Sequence, residues 1–373
     1  MRNNKPMITN IFEKNNYKFP VEYTDDFRKG VNSLLETYIN DLRINQIDDS
    51  IIRKIENFKH NCDLTLKNYL KGIYSRAFEN FSDAIKDLDI VKSPLLTSNL
   101  TEKYFFRGRC NYNFIDYSDR EMFHIPLDKR YKVSTQRFSF PGLPCLYLGA
   151  SSYICWVELN RPPIENFQIA LLKASEIAEQ KKVIDLSHVP QKISQLENQP
   201  WYKEEEYLLY WPLLAICSIR VKDEDAIFKP EYIFPQLFLE YIQKRNSNGT
   251  YIGIKYASVK AALISDKQLN ENWTTYVNYV FPVRSDSMTE MFCKDLQEEF
   301  IVEKNRSGKE LQVLIDLIQT NQLKGKHSAL TTKMESIIDN TAPNLYTHDG
   351  IPYSYNKSVF GKIDQALLID TFE

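Results

Sequence analysis

The chain has no C-x-x-C pair among its six cysteines, and no H-x-x-x-H or H-x-E spacing among its five histidines, so it offers no ligand set for structural zinc or for a zinc hydrolase. It lacks G-x-G-x-x-G, a P-loop and G-x-S-x-G, which removes the sequence signals for a dinucleotide-binding Rossmann unit, a nucleotide triphosphatase and a serine hydrolase. No run of about 18 apolar residues occurs, and the opening "MRNNKPMITNIFEKNNYKFP" carries charges where a signal peptide needs a continuous apolar stretch, so the expected location is cytoplasmic, away from the membrane. The formal charge of -2, with no Lys/Arg block interleaved with aromatics, makes no electrostatic case for nucleic acid. Internal repeats and low-complexity tracts are also missing.

What is present is 373 residues with 43% apolar content and frequent aromatics, enough for one large core or two smaller ones. "TDDFRKGVNSLLETYINDLR" places Phe27, Val31, Leu34, Leu35, Tyr38, Ile39 and Leu42 on one helical stripe, with Thr24 or Asp25 as expected N-cap. "LTLKNYLKGIYSRAFENFSDAIKDL" predicts a second long helix through Leu66, Leu70, Ile73, Ala77, Phe81, Ile85 and Leu88. Pro94 in "KSPLLTSNLTEK" then breaks the pattern. From "YFFRGRCNYNF" to "NYVFPVR", short runs between turn residues predict strands at "CLYLGA", "FQIALLKA", "KVIDLS", "LLAICSIRV" and "GIKYASV", with one helix at "EYIFPQLFLEYIQKR". Beyond 285 only "SGKELQVLIDLIQTNQL" reads as a helix, and the rest as a polar tail. The expected organisation is a helical module over 1–98, a mixed α+β domain over 99–300 and a C-terminal helix with tail over 301–373.

Three short stretches carry candidate chemistry. "YFFRGR" holds Arg107 and Arg109; "RFSFPGLPCLYLGASSYICWVELN" holds Arg137, Tyr147 and, at the end of a short apolar helix, the lone carboxylate of Glu158; "GTYIGIKYASVK" holds Ser258. In this order, and together with "WPLLAICSI", "KPEYIFPQ" and "NYVFPV", they resemble the RES domain, a family named for its Arg, Glu and Ser, over roughly residues 104 to 283. The resemblance implies an ADP-ribosyltransferase-like mixed β core with flanking helices, and breakdown of NAD by cleavage of the nicotinamide-ribosyl bond. It casts Arg107, Glu158 and Ser258 as the family's three residues, with Tyr147 as an aromatic partner and Arg109 competing with Arg107. It also implies an intracellular bacterial toxin or defence effector, NAD+ as substrate with no catalytic cofactor, an antitoxin or regulatory protein as partner, and a homo-oligomer. The acidic aromatic segment "NYNFIDYSDRE" departs from the short loop of many members.

These residue types suit that chemistry. Nicotinamide leaves NAD as a neutral ring, so no general acid is required, and one carboxylate can oppose the positive charge that develops on the ribose. An arginine fork binds two diphosphate oxygens at once and stays charged at cellular pH. Arg137 is a further candidate either for phosphate or for structural pairing. Tyr147 alternates with Leu146 and Leu148, which lets its ring stack on nicotinamide, and Ser258 can donate to ribose or to the amide. The alternatives are ADP-ribosyl transfer to a macromolecule, transfer to phosphate, or a non-catalytic nucleotide-sensing module.

Overall fold

The computed structural model describes residues 11–12, 17–24, 26–113, 115–190, 193–197, 199–200, 202–246, 248–260, 276–324, 344–348, 351–355 and 358–369. Its principal elements begin with α1 (Phe27–Ile44), α2 (Asp49–Tyr69), α3 (Tyr74–Ile85), β1 (Thr97–Asn99), β2 (Tyr104–Cys110), β3 (Cys145–Gly149) and α4 (Ser152–Glu158). They continue with β4 (Phe167–Ala174), β5 (Lys182–Leu186), α5 (Glu204–Cys217), α6 (Ile233–Arg245), β6 (Tyr251–Ala257) and β7 (Val277–Pro282). The last are α7 (Lys294–Glu299), β8 (Phe300–Arg306), α8 (Gly308–Lys324), β9 (Asn344–His348), β10 (Ile351–Ser354) and α9 (Val359–Ile369). The fold is α+β with a helical N-terminal part. Among the described residues no helix is long and apolar enough to cross a membrane.

Packing divides the chain into two units that interleave in sequence: residues 1–99, 134–142 and 182–259 form the first, and residues 100–133, 143–181 and 260–373 the second. In the first unit, β5 pairs in parallel with β6 and antiparallel with β1. Helix α1 is capped by the Asp26 side chain, which accepts from Lys29 N; Thr24 is not the cap, and position 25 lies outside the described residues. The helix buries Phe27, Val31, Leu35, Tyr38, Ile39 and Leu42, the expected stripe without Leu34. Trp211 of α5 centres the core, with the Tyr38 and Tyr17 rings 4.3 and 4.8 Å away.

Two expectations in this unit are corrected. The long helix predicted through "LTLKNYLKGIYSRAF" is two helices, α2 and α3, because Gly72 adopts φ +75° and turns the chain; Leu70 and Ile73, expected on the buried stripe, are 55% and 43% exposed. The strand predicted at "LLAICSIRV" is the end of α5 as far as Cys217, followed by a single β-bridge of Ile219 to Val21. Every residue of Leu213–Cys217 is buried, so this helix is apolar all round and has no amphipathic period to distinguish it from a core strand.

In the second unit, β2 pairs antiparallel with β4 along its whole length, from Tyr104↔Lys173 to Cys110↔Phe167. β4 continues to β8, while β3 pairs with β7 from Cys145↔Pro282 to Gly149↔Asn278. One face carries Phe105, whose ring meets Tyr279, Phe281 and Phe300 edge-on at 5.0 to 6.1 Å. The other face packs Phe106, Ile169 and Leu171 against α4, α8 and α9 through Ile154, Val157, Leu311, Ile363 and Leu367. Helix α9 and strand β8 lie in the region that the sequence pattern left as loose or as tail.

Candidate active site

The candidate site is built where β2 meets β3. These two strands register at a single pair, Phe106↔Gly149. Beyond it, where a ladder would set Gly108 opposite Tyr147, the Arg107 guanidinium reaches across instead and Nη1 donates to the Tyr147 carbonyl at 2.7 Å. Strand alternation sends Arg107 and Arg109 from β2 to the side opposite Phe106 and Gly108. Two guanidinium groups therefore leave one short stretch of strand in the same direction.

Neither makes an ion pair among the described residues, although the exposed Glu121 carboxylate lies near enough to favour the charge of Arg109. Arg107 keeps partial exposure as a whole residue, yet its Nε is fully buried with no hydrogen-bond partner. Burial, and then repulsion from Arg109, push its pKa from the usual 12.5 down to about 9. Arg109 is also lowered by burial, and its guanidinium lies over the Tyr117 ring at 5.2 Å. Tyr117 is itself held by its N–H on Gln168 Oε1 (2.8 Å) and its hydroxyl on the Cys110 carbonyl (3.0 Å), so the "NYNFIDYSDRE" segment returns to the sheet beside Arg109. His124 is completely buried between Ile125 O, 2.7 Å from Nδ1, and the Cys293 N–H, which donates to Nε2 at 3.0 Å. That pattern fixes a neutral ring protonated on Nδ1, and burial lowers its pKa to about 4, so it supplies no neutralising or competing charge.

Glu158 is positioned by α4 on the other side of β2. The helix starts at Ser151, whose Oγ accepts from Ile154 N at 3.2 Å. Two glycines let it lie directly on the strands. A Cβ at Gly149 would fall 2.5 Å from Ile154 Cγ2 and 2.8 Å from Cys155 Sγ, and one at Gly108 would fall 2.7 Å from Phe167 and 3.0 Å from Leu159. Cys155 Sγ, completing the seam, donates to the Phe106 carbonyl at 3.3 Å, and burial raises this thiol to about 12, so it is an inert packing group.

At the other end of α4, the Glu158 Oε1 accepts from Asn278 Nδ2 at 2.6 Å; Asn278 stands on β7 directly opposite Gly149. Lys260 Nζ donates to the Glu158 carbonyl (3.2 Å) and to Asn160 Oδ1 (2.8 Å). Asn160 and Arg161 then adopt φ +63° and +54°, two consecutive left-handed non-glycine residues immediately after the carboxylate. Such conformations cost about 1–3 kcal/mol each and persist where the surroundings over-determine them.

Of the residues singled out by the sequence, Arg107, Arg109, Tyr147 and Glu158 belong to the second unit; Arg107 reaches the Tyr147 backbone carbonyl and shares its face of β2 with Arg109, while Glu158 is carried on the helix packed against the opposite face at Gly108. Ser258 and Arg137 belong to the first unit. Ser258 is buried just past the end of β6. Arg137 is buried too, and of the two roles open to it, structural pairing is the one it fills: Nη1 donates to the Cys217 and Ile219 carbonyls at 3.3 and 3.0 Å, and its guanidinium lies over the Tyr232 ring at 5.2 Å. Asn278 and Lys260 were missed by sequence reasoning. The signal for Asn278 was present, as the one amide in the otherwise apolar strand "VNYVFP".

A Bacillus subtilis (strain 168) protein named "Putative toxin YopC" is 34% identical to this chain over an alignment of 299 residues that covers 75% of this chain and 65% of the relative. The chain thus spans about 65% of that relative's length. No protein-family model and no solved structure matches the chain.

Proposed function

We propose that this chain is an NAD-consuming enzyme that cleaves the nicotinamide-ribosyl bond, with water as the acceptor, and that it acts as a toxin of the RES type. The observation that carries the reading is the under-compensated cation pair. A buried guanidinium whose charge is disfavoured, with a second one two residues along the same strand, no ion pair to either among the described residues and only the exposed Glu121 carboxylate near the second, leaves positive charge for an anion to neutralise. The planar fork of each suits the adjacent oxygens of a diphosphate. The toxin role draws on the name of the Bacillus subtilis relative and on the resemblance of the motifs to the RES family.

In this reading Arg107 and Arg109 bind the diphosphate on one face of β2, the substrate passes through the β2–β3 opening, and on the other face Glu158, fixed in orientation by Asn278 and in position by α4, opposes the positive charge that grows on the ribose as the C1′–N bond lengthens. The electron pair of that bond leaves with nicotinamide and neutralises its ring, so no proton is needed on the leaving group. Water then bonds to C1′ and releases its proton, giving ADP-ribose. NAD+ is the substrate, and the reading requires no other cofactor.

The experiment is a chromatographic assay of purified protein with NAD. Free nicotinamide and ADP-ribose in equal amounts are expected from the wild type, and Glu158→Gln should lose about 3–4 kcal/mol of transition-state stabilisation, roughly 100- to 1,000-fold in turnover. Nicotinamide release by Glu158→Gln at the wild-type rate removes the carboxylate from the mechanism. Label from NAD appearing in a macromolecule or on phosphate, in place of free ADP-ribose, replaces hydrolysis by transfer. NAD binding without any nicotinamide release makes the chain a sensor.

A further inference from the structure

The C-terminal helix α9 reads "VFGKIDQALLI", an apolar segment with one acid, Asp364, on the face that buries Ile363 and Leu367. That acid is aimed at the start of α4. Its Oδ1 accepts from the Ser152 N–H at 3.1 Å, and its Oδ2 accepts from the Tyr355 hydroxyl at 2.5 Å. Around these bonds the Phe360 ring packs on Tyr153 (5.3 Å) and Trp156 (5.0 Å), and the Ser152 hydroxyl donates to the Phe360 carbonyl at 3.5 Å. A residue about 200 positions downstream of α4 thus bonds the first turn of the seven-residue helix that ends in Glu158.

We propose that Asp364 is a positioning residue: by holding the Ser152 N–H it fixes the register and tilt of α4, and so the place of the Glu158 carboxylate, which makes α9 part of the machinery of the site. This rests on the reading of Glu158 given above. The reason a single bond matters is the length of α4. Seven residues make two turns, too few to be stable without external support, so the helix has the geometry that its two ends are given. Asn278 and Lys260 hold one end and Asp364 holds the other.

The same contact brings pH sensitivity. The titratable or hydroxyl-bearing groups facing Asp364 are Tyr355, Cys155 and the hydroxyl of Ser152, and no cation pairs with it among the described residues. Burial therefore raises its carboxyl to about 7, against partial compensation by the Ser152 and Tyr355 bonds. A carboxyl raised from 3.8 to about 7 holds more proton docked than released, so by linkage the contact loses stability as pH rises through about 7, and α4 is held less firmly at pH 8 than at pH 6.

The test compares wild type, Asp364→Ala and Asp364→Asn by hydrogen exchange of the amides of Ser152–Glu158 and by NAD turnover at pH 6 to 8. Asn keeps an acceptor for Ser152 N but cannot ionise. The expected result is faster exchange in α4 for Asp364→Ala alone, with kcat at pH 6 down about tenfold, the size of one lost hydrogen bond, and KM for NAD unchanged. Asp364→Asn should restore most of kcat and should lack the fall through about pH 7 that the anchor of the wild type imposes. Wild-type exchange in α4 of Asp364→Ala, or a wild-type kcat and pH profile in that variant, overturns the inference. A wild type that releases no nicotinamide overturns the NAD reading instead, and exchange in α4 then decides by itself whether Asp364 is the anchor.

Discussion

Each unit of this protein contains a cluster of buried charge, and the two are solved differently. In the first, Asp185 is buried with its Oδ2 3.4 Å from Lys255 Nζ and 3.8 Å from His188 Nε2, while Oδ1 accepts from the Ser187 hydroxyl and N–H at 2.5 and 2.9 Å. Burial alone would raise this carboxyl, but His188, Lys255 and Ser187 outweigh it, and its pKa is lowered. In the second, Arg107 and Arg109 share one sign, and the pKa of Arg107 shifts against its charge. A self-neutralised cluster is a tie between strands β5 and β6, where Asp185 and Lys255 are register partners. A cluster of like charge maintained in a folded protein is a binding site for what would neutralise it.

The comparison is broken most forcefully from the first cluster. Asp185→Ala would leave Lys255 without its buried counter-charge, and the expected loss is about 3–5 kcal/mol of unfolding free energy, read from denaturant midpoints at pH 7. The sign with pH follows: a carboxyl whose folded pKa is depressed adds stability that is present above the unfolded value near 3.8 and lost as pH falls through the folded one, so this stabilisation should fade in acid. An unchanged midpoint for Asp185→Ala would mean that the ion cluster contributes nothing and that the contrast between the units is empty.

The second cluster should behave in the opposite way. Arg107→Met removes a desolvated charge from beside Arg109, so its stability should equal or exceed that of the wild type, while NAD binding weakens by about 1.5–3 kcal/mol, seen as a rise in KM of roughly 10- to 150-fold. Titration calorimetry with the Glu158→Gln background separates binding from turnover. Loss of stability with unchanged binding would move Arg107 from the site to the scaffold.

How much of this was legible in the sequence depends on whether a residue's partner was local. β3 to β6 and helices α1 and α6 were legible because period-2 or period-3.6 patterns survive wherever one face is wet or the run is short and bounded by turns. α5 was misread because burial on all sides erases the period, and the α2–α3 break was missed because Gly72 interrupts a stripe whose hydrophobic spacing continues through it. The identity of the charged candidates was legible, but their states were not. Arg107 and Arg137 are both arginines near aromatics in the sequence, and only the fold gives Arg137 two carbonyls and a ring while leaving Arg107 Nε with none. Asp364 could not be linked to Glu158 at all, since the bond joining their elements spans 212 positions.

The smallest expected effect is also the most selective. Inorganic pyrophosphate offers the oxygens of a diphosphate without ribose or nicotinamide, so it probes the cation pair apart from Glu158. At a concentration ten times its Kd it should stabilise the wild type by RT ln 11, about 1.4 kcal/mol, visible as a rise in the thermal midpoint. The same increment is expected in a variant with the first cluster altered, such as Asp185→Asn, because that cluster already holds its own counter-charges. Arg107→Met should show little or none of it, and added salt should shrink the increment in proportion to its exposure to screening. If pyrophosphate stabilised Arg107→Met as much as the wild type, the anion would be binding elsewhere, and the like-charged pair on β2 would lose the role that its want of an ion pair suggests.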